Sequence, residues 1–137
     1  MWATQFKDTA GNSGPVHTYF WTRVLPGHDA TNPVIGTEVT GAFQSSDVYY
    51  LLGHLYSTDR PWTSQDYDIA DTTASYVARF AATGDPNGSS LTDRPALATD
   101  TPRTMELGAD FGTVAAADSD AKFTFLKSYL ESQSKEF

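Results

Sequence analysis

The 137-residue sequence contains no cysteine. That removes disulfides, thiolate metal sites and cysteine nucleophiles, and it leaves the cellular compartment open. Positive charge is scarce: nine Lys and Arg face 17 Asp and Glu, a formal net charge of −8. Such a surface repels nucleic acid and anionic membrane alike, so neither is expected as a partner. No apolar run approaches the roughly 18–20 residues of a membrane span, and the start, Met1 to Lys7, lacks the apolar core of a secretion signal. Only three histidines are present, and neither they nor the scattered carboxylates have metal-ligand spacing. The reading is therefore no metal and no cofactor.

What is present suits a packed core. Aromatic residues make up 13% and charged residues 19% of the chain, which argues against disorder. The length fits one domain or one piece of a larger one, taken here as residues 1–137. After the turn cluster Gly11–Pro15 comes Val16–Val24, rich in aromatic and β-branched residues and read as the main strand. Its apolar residues fall on both faces, which predicts cover from both sides. The segment His28–Thr40 holds Pro33 and Gly36 and reads as a loop. Ser45 or Ser46 is placed to cap a short helix over Asp47–Leu52, with Asp47 on the helix dipole and Gly53 as the stop.

Thr63-Ser64-Gln65-Asp66 resembles a capping box for the longest helix, whose inner face is predicted from Ala70, Thr73, Ala74, Val77, Phe80 and Ala81. Gly84 ends it and Asp85-Pro86-Asn87-Gly88 turns the chain. Arg103–Leu107 is a second strand candidate, and Asp118 is placed to cap a last helix carrying Ala121, Phe125, Leu126, Tyr129 and Leu130 on one side. The fold class is α/β, with one or two strands, packed helices and an incomplete sheet whose exposed edge invites pairing with another chain or with itself.

Two segments carry a family resemblance. Gly41-Ala42-Phe43-Gln44-Ser45-Ser46-Asp47, continuing through Tyr49-Tyr50 to Gly53, is similar to a type-B carboxylesterase pattern of Gly-Ala-x-His, small residues, an acid and an aromatic-rich turn. Tyr76–Gly88, with Phe80-Ala81-Ala82-Thr83-Gly84-Asp85-Pro86-Asn87, closely resembles the same family's aromatic helix and its Gly-Asp-Pro-Asn turn. The likeness runs from about Gly14 to Tyr129. It implies the C-terminal portion of an α/β-hydrolase, with Val16–Val24 as the strand that leads to the catalytic histidine loop.

In that family a serine in Gly-x-Ser-x-Gly attacks the ester, a histidine shuttles its proton, and an acid holds the imidazole. This sequence has no Gly-x-Ser-x-Gly, and the resemblance puts the acid upstream of residue 1. The residue matching the histidine is Gln44, whose amide cannot accept and return a proton near neutral pH. The resemblance thus implies small esters as family substrates, no hydrolysis by this chain alone, and an N-terminal esterase chain as a partner. The competing expectation is a non-catalytic binding or interaction module derived from the esterase fold.

Other candidates have plainer readings. His17 falls inside the strand and reads as a packed side chain, His28 as a loop residue, and His54 as a surface group after the helix stop. Asp47 reads as a helix-start residue and Asp85 as a turn former. Phe20, Trp21, Tyr49 and Tyr50 read as core before pocket lining. Asn87-Gly88-Ser89 matches a glycosylation triplet, which is too common to decide anything.

Overall fold

The computed structural model describes Ala3, Phe6, Gly11 and residues 14–27, 41–98, 103–117 and 119–132. Three strands form one mixed sheet in the order β1-β2-β3. Strand β1 (Tyr19–Trp21) runs parallel to β2 (Arg103–Leu107), with Tyr19 opposite Met105 and Trp21 opposite Leu107. Strand β3 (Thr113–Ala115) returns antiparallel along the far side of β2. It was not foreseen, so the sheet exceeds the one or two strands expected. Three residues are too few for a period-two pattern to stand out from its surroundings.

The main strand is shorter than Val16–Val24, but its pairing continues beyond Tyr19–Trp21. Val16 accepts from the Leu97 N–H (2.7 Å), Thr18 from Met105, and Thr22 donates to Leu107. The expectation of cover on both faces is corrected. Trp21 is buried, whereas Phe20, on the opposite face, is 61% exposed. The Trp21 ring packs against Tyr50 at 4.8 Å, so that face carries the core and the Phe20 face does not.

Helix α1 (Val48–Leu51) starts without a side-chain cap, so neither Ser45 nor Ser46 acts as one. Helix α2 (Ser64–Thr83) opens on Thr63, and the Asp66 carboxylate reaches back to the Thr63 N–H, as the sequence suggested. Its buried residues are Asp66, Ile69, Ala70, Thr73 and Tyr76. Val77 and Phe80, expected on the inner face, stand exposed. Val77 and Phe80 share the azimuth of the buried Ala70 and Thr73, seven residues earlier, but the core's members on α2 end at Tyr76, so the same face is left uncovered in the last turns. Gly53 (φ +59°) and Gly84 (φ +76°) stop the two helices in the left-handed conformation that glycine adopts without a Cβ clash. Between them lies a short 3₁₀ turn (Leu55–Ser57).

Helix α3 (Asp120–Ser132) ends the described chain. Asp118 lies outside the described residues. Among the described residues Ser119 serves the first turn: its Oγ accepts from the Lys122 N–H and its carbonyl from Phe123. Phe125, Leu126 and Tyr129 do share one side of the helix, but that side is exposed.

The core gathers Trp21, Leu25, Tyr50, Leu55, Ile69, Ala70, Tyr76, Met105 and Leu107 between the sheet and the α1–α2 pair. After β2 the chain passes so close to the segment leaving β1 that a Cβ on Gly108 (φ +126°) would lie 2.5 Å from the Arg23 nitrogen. Only glycine fits that crossing.

Candidate functional site

The loop at residues 41–47 sits beside the carboxyl end of β1. Gln44 is exposed there, and together with Phe20, Trp21, Phe43 and Asp47 it lines an open depression of about 370 Å³. The loop is held from within. Ser46 is fully buried; its Oγ donates to the Phe43 carbonyl (2.6 Å) and accepts from the Phe43 N–H (3.2 Å). That turn forces Ser45 to φ +70°, an unfavourable conformation for a side chain, which costs on the order of 1–3 kcal/mol. The strained residue directly follows Gln44, so the turn sets the direction in which residue 44 is presented. A second tie comes from β1, where the Tyr19 hydroxyl donates to Asp47 Oδ2 at 2.6 Å. Burial, then that bond and the adjacent carboxylate charge, push the Tyr19 phenol up to about 12. Asp47 immediately precedes α1 rather than lying in its first turn, and its carboxylate makes no cap bond there; its hydrogen-bond partner is Tyr19.

Beneath the loop lies a buried polar network that sequence reasoning missed. Asp66 is fully buried and receives five donors. Arg23 Nε (2.9 Å), Arg23 Nη2 (2.8 Å) and the Tyr50 hydroxyl (2.8 Å) meet Oδ1, while the Thr63 N–H (2.9 Å) and hydroxyl (2.6 Å) meet Oδ2. Burial alone pulls the Asp66 pKa upward; the Thr63, Tyr50 and Arg23 bonds outweigh it and hold the carboxyl below its usual range. Burial and the Asp66 bond raise the Tyr50 phenol. The network joins the segment after β1, α1 and the start of α2, which positions the 41–47 loop between them. It was legible in part: Asp66 lies three and four residues before Ile69 and Ala70, on the buried face.

The remaining candidates divide clearly. His17 is half-buried, packed edge-on to Phe80 at 6.3 Å, and lines a separate cavity away from Gln44. His28 lies outside the described residues. His54 is exposed and packs on Tyr56 (4.9 Å). Asp85 is the turn former expected: its Oδ1 accepts from the Asn87 N–H and side-chain amide, each at 2.9 Å. The Asn87 amide also donates to the Arg94 carbonyl, so the atom a glycan would modify is engaged. Trp21 and Tyr50 are core, Tyr49 packs against it, and Phe20 lines the depression. Among the described residues no group of three or more His, Cys, Asp or Glu side chains can hold a metal ion, and no helix is long and apolar enough to cross a membrane.

A mixed sheet backed by helices, with a strained loop at the carboxyl end of its first strand, is an α/β arrangement of the hydrolase kind. The carboxylesterase family profile matches residues 2–126, and the chain belongs to that family. None of the curated proteins matches it. Among solved structures, an esterase from anaerobic Clostridium hathewayi, described as able to hydrolyse aliphatic aromatic polyesters, superposes with a TM-score of 0.61 at 16% identity over 88% of this chain and 22% of its own. A PNB esterase superposes with a TM-score of 0.58 at 18% identity, over 80% of this chain and 21% of its own. The chain thus spans about a fifth of the length of these esterases. The two solved neighbours carry an α/β-hydrolase fold, and this chain shares that part of it.

Proposed function

We propose that the chain is the C-terminal part of a serine carboxylester hydrolase, with Gln44 at the position of the triad histidine and no ester hydrolysis of its own. The observation that carries this reading is the place of Gln44. It lies on a strained, doubly pinned loop, beside Phe20 and Trp21 at the carboxyl end of the leading strand. An imidazole there would face outward toward a nucleophile supplied by the rest of the domain. Glutamine keeps the reach and loses the chemistry, because an amide neither takes the serine proton nor returns it to the leaving alcohol. Small carboxylic esters are the substrate class, and an N-terminal esterase chain is the partner, docking at the open edge of β1. The purified chain should turn over p-nitrophenyl acetate no faster than buffer. Turnover at the level of an intact triad would overturn the reading.

The second reading is a non-catalytic binding module built on the esterase fold. The glutamine at residue 44 favours it. The two part at the neighbouring coding sequence: an upstream frame with a serine elbow supports the enzyme part, and a gene that begins at Met1 supports the module.

A further inference from the structure

A second cavity, of about 170 Å³, shares no lining residue with the Gln44 depression and plays no part in the proposed ester chemistry. Its walls are mainly apolar, from Tyr76, Val77, Phe80 and Pro86. Two buried nitrogens without a hydrogen-bond partner belong to its lining residues: Nε of Arg94 and Nδ1 of His17. Arg94 is 7% exposed, and its guanidinium lies over the Tyr76 ring (5.2 Å) and near the Tyr19 ring (6.0 Å). No carboxylate pairs with it among the described residues.

The position of Arg94 is fixed by its backbone. Its N–H donates to Asn87 Oδ1 (2.6 Å) and its carbonyl accepts from Asn87 Nδ2 (3.1 Å), while Asp85 orients Asn87. The Gly-Asp-Pro-Asn turn thus acts as a bracket for a buried cation. Burial holds Arg94 below its ordinary pKa, partly offset by the two tyrosines, but an arginine stays charged. A desolvated guanidinium flanked by rings and lacking an anion is an expensive arrangement, and its planar edge suits a carboxylate.

We propose that this cavity binds a small organic monocarboxylate, with the carboxylate on Arg94 and an apolar group against Val77, Phe80 and Pro86. Burial, then the Arg94 charge, lowers the His17 pKa against the opposing pull of Asp85, the Arg94 backbone and Asp93, so His17 stays neutral, its N–H drawn to the Arg94 carbonyl, and adds no second positive charge. Those two nearby acids also select charge: one negative charge is neutralised by Arg94, whereas a dianion such as phosphate leaves a surplus beside Asp85 and Asp93. The apolar walls require the rest of the ligand to be hydrocarbon.

Titration calorimetry of the whole chain with phenylacetate, its neutral isostere phenylacetamide, and inorganic phosphate tests the site. Phenylacetate should bind saturably and at least about tenfold more tightly than phenylacetamide, and phosphate should not compete. Arg94→Met should abolish the preference for the acid. Val77→Trp, a change at the exposed rim that leaves the bracket intact, should block both ligands. The proposal falls if acid and amide bind equally, if Arg94→Met keeps the preference, or if phenylacetate shows no saturable binding. Should Arg94→Met fail to fold, the acid-to-amide ratio and Val77→Trp decide the matter alone.

Discussion

Replacing Asp66 by asparagine tests the network that holds the 41–47 loop in place. Asp66 accepts from five donors, divided between Oδ1 (Arg23 and Tyr50) and Oδ2 (Thr63). Asparagine keeps one oxygen and puts an amide at the other. If the oxygen stays toward Arg23, the Thr63 N–H faces another donor; if it turns, the amide faces a guanidinium. Each arrangement removes the charge and leaves at least one partner unmatched. Breaking one member of a buried ion pair costs about 3–5 kcal/mol, but the Arg23 side chain is 20% exposed and recovers some hydration, so about 2–4 kcal/mol is expected. Trp21 packs on Tyr50, which makes tryptophan fluorescence a local reporter of urea unfolding. With a slope of about 1–3 kcal/mol per molar urea, the midpoint should fall by about 0.7–4 M. The folded pKa of Asp66 lies below its unfolded value of about 3.9, so its contribution is present above that pH and is lost as pH falls through the folded value. Asp66→Asn should flatten the stability profile in that acid window. A loss below about 1 kcal/mol, or an unchanged acid slope, would refute the network's role.

Three further outcomes follow from the geometry. Gly108→Ala combines a positive φ with a Cβ 2.5 Å from the Arg23 nitrogen, and thermal unfolding should show a loss of at least about 2 kcal/mol. Ser46→Ala strips the Phe43 N–H and carbonyl of their side-chain partner, costing about 1–3 kcal/mol and speeding hydrogen exchange at Phe43. Tyr19 should ionise near pH 12 in an ultraviolet titration compared with Tyr19→Phe, and Asp47→Asn should lower that value. Because the phenol is raised above its unfolded value of about 10, its contribution to stability is present below pH 10 and lost as pH rises through about 12.

What the sequence disclosed, and what it hid, follows from how local each signal is. The long helix was legible because Thr63, Asp66 and Gly84 mark its ends within a few residues, and the Gly-Asp-Pro-Asn turn because Asp85 and Asn87 bond within it. The three-residue strand β3 was not, since its partner Arg103–Met105 is separated from it by a turn and its apolar content is small. The apolar pattern of α2 placed Ala70 and Thr73 correctly on the buried face but missed Ile69 and Tyr76; Tyr76 turns inward with its hydroxyl on the Thr92 carbonyl (2.6 Å), a partner the sequence does not reveal. The same limit hid Asp66, which looked like a cap because its other donors, Arg23 and Tyr50, come from 43 and 16 residues away. Gln44 drew attention only through its neighbours Gly41 and Ala42 and the aromatic turn after it. Arg94 carried no local signal at all.

The central claim concerns proton transfer at residue 44. The direct measurement is p-nitrophenyl acetate turnover by the chain assembled with an N-terminal esterase chain that supplies the serine elbow and the acid, comparing the Gln44 chain with Gln44→His. The expected result is a rise of about a thousandfold or more in kcat for the histidine form. Equal rates from the two assemblies would contradict the assignment of residue 44 to the proton shuttle.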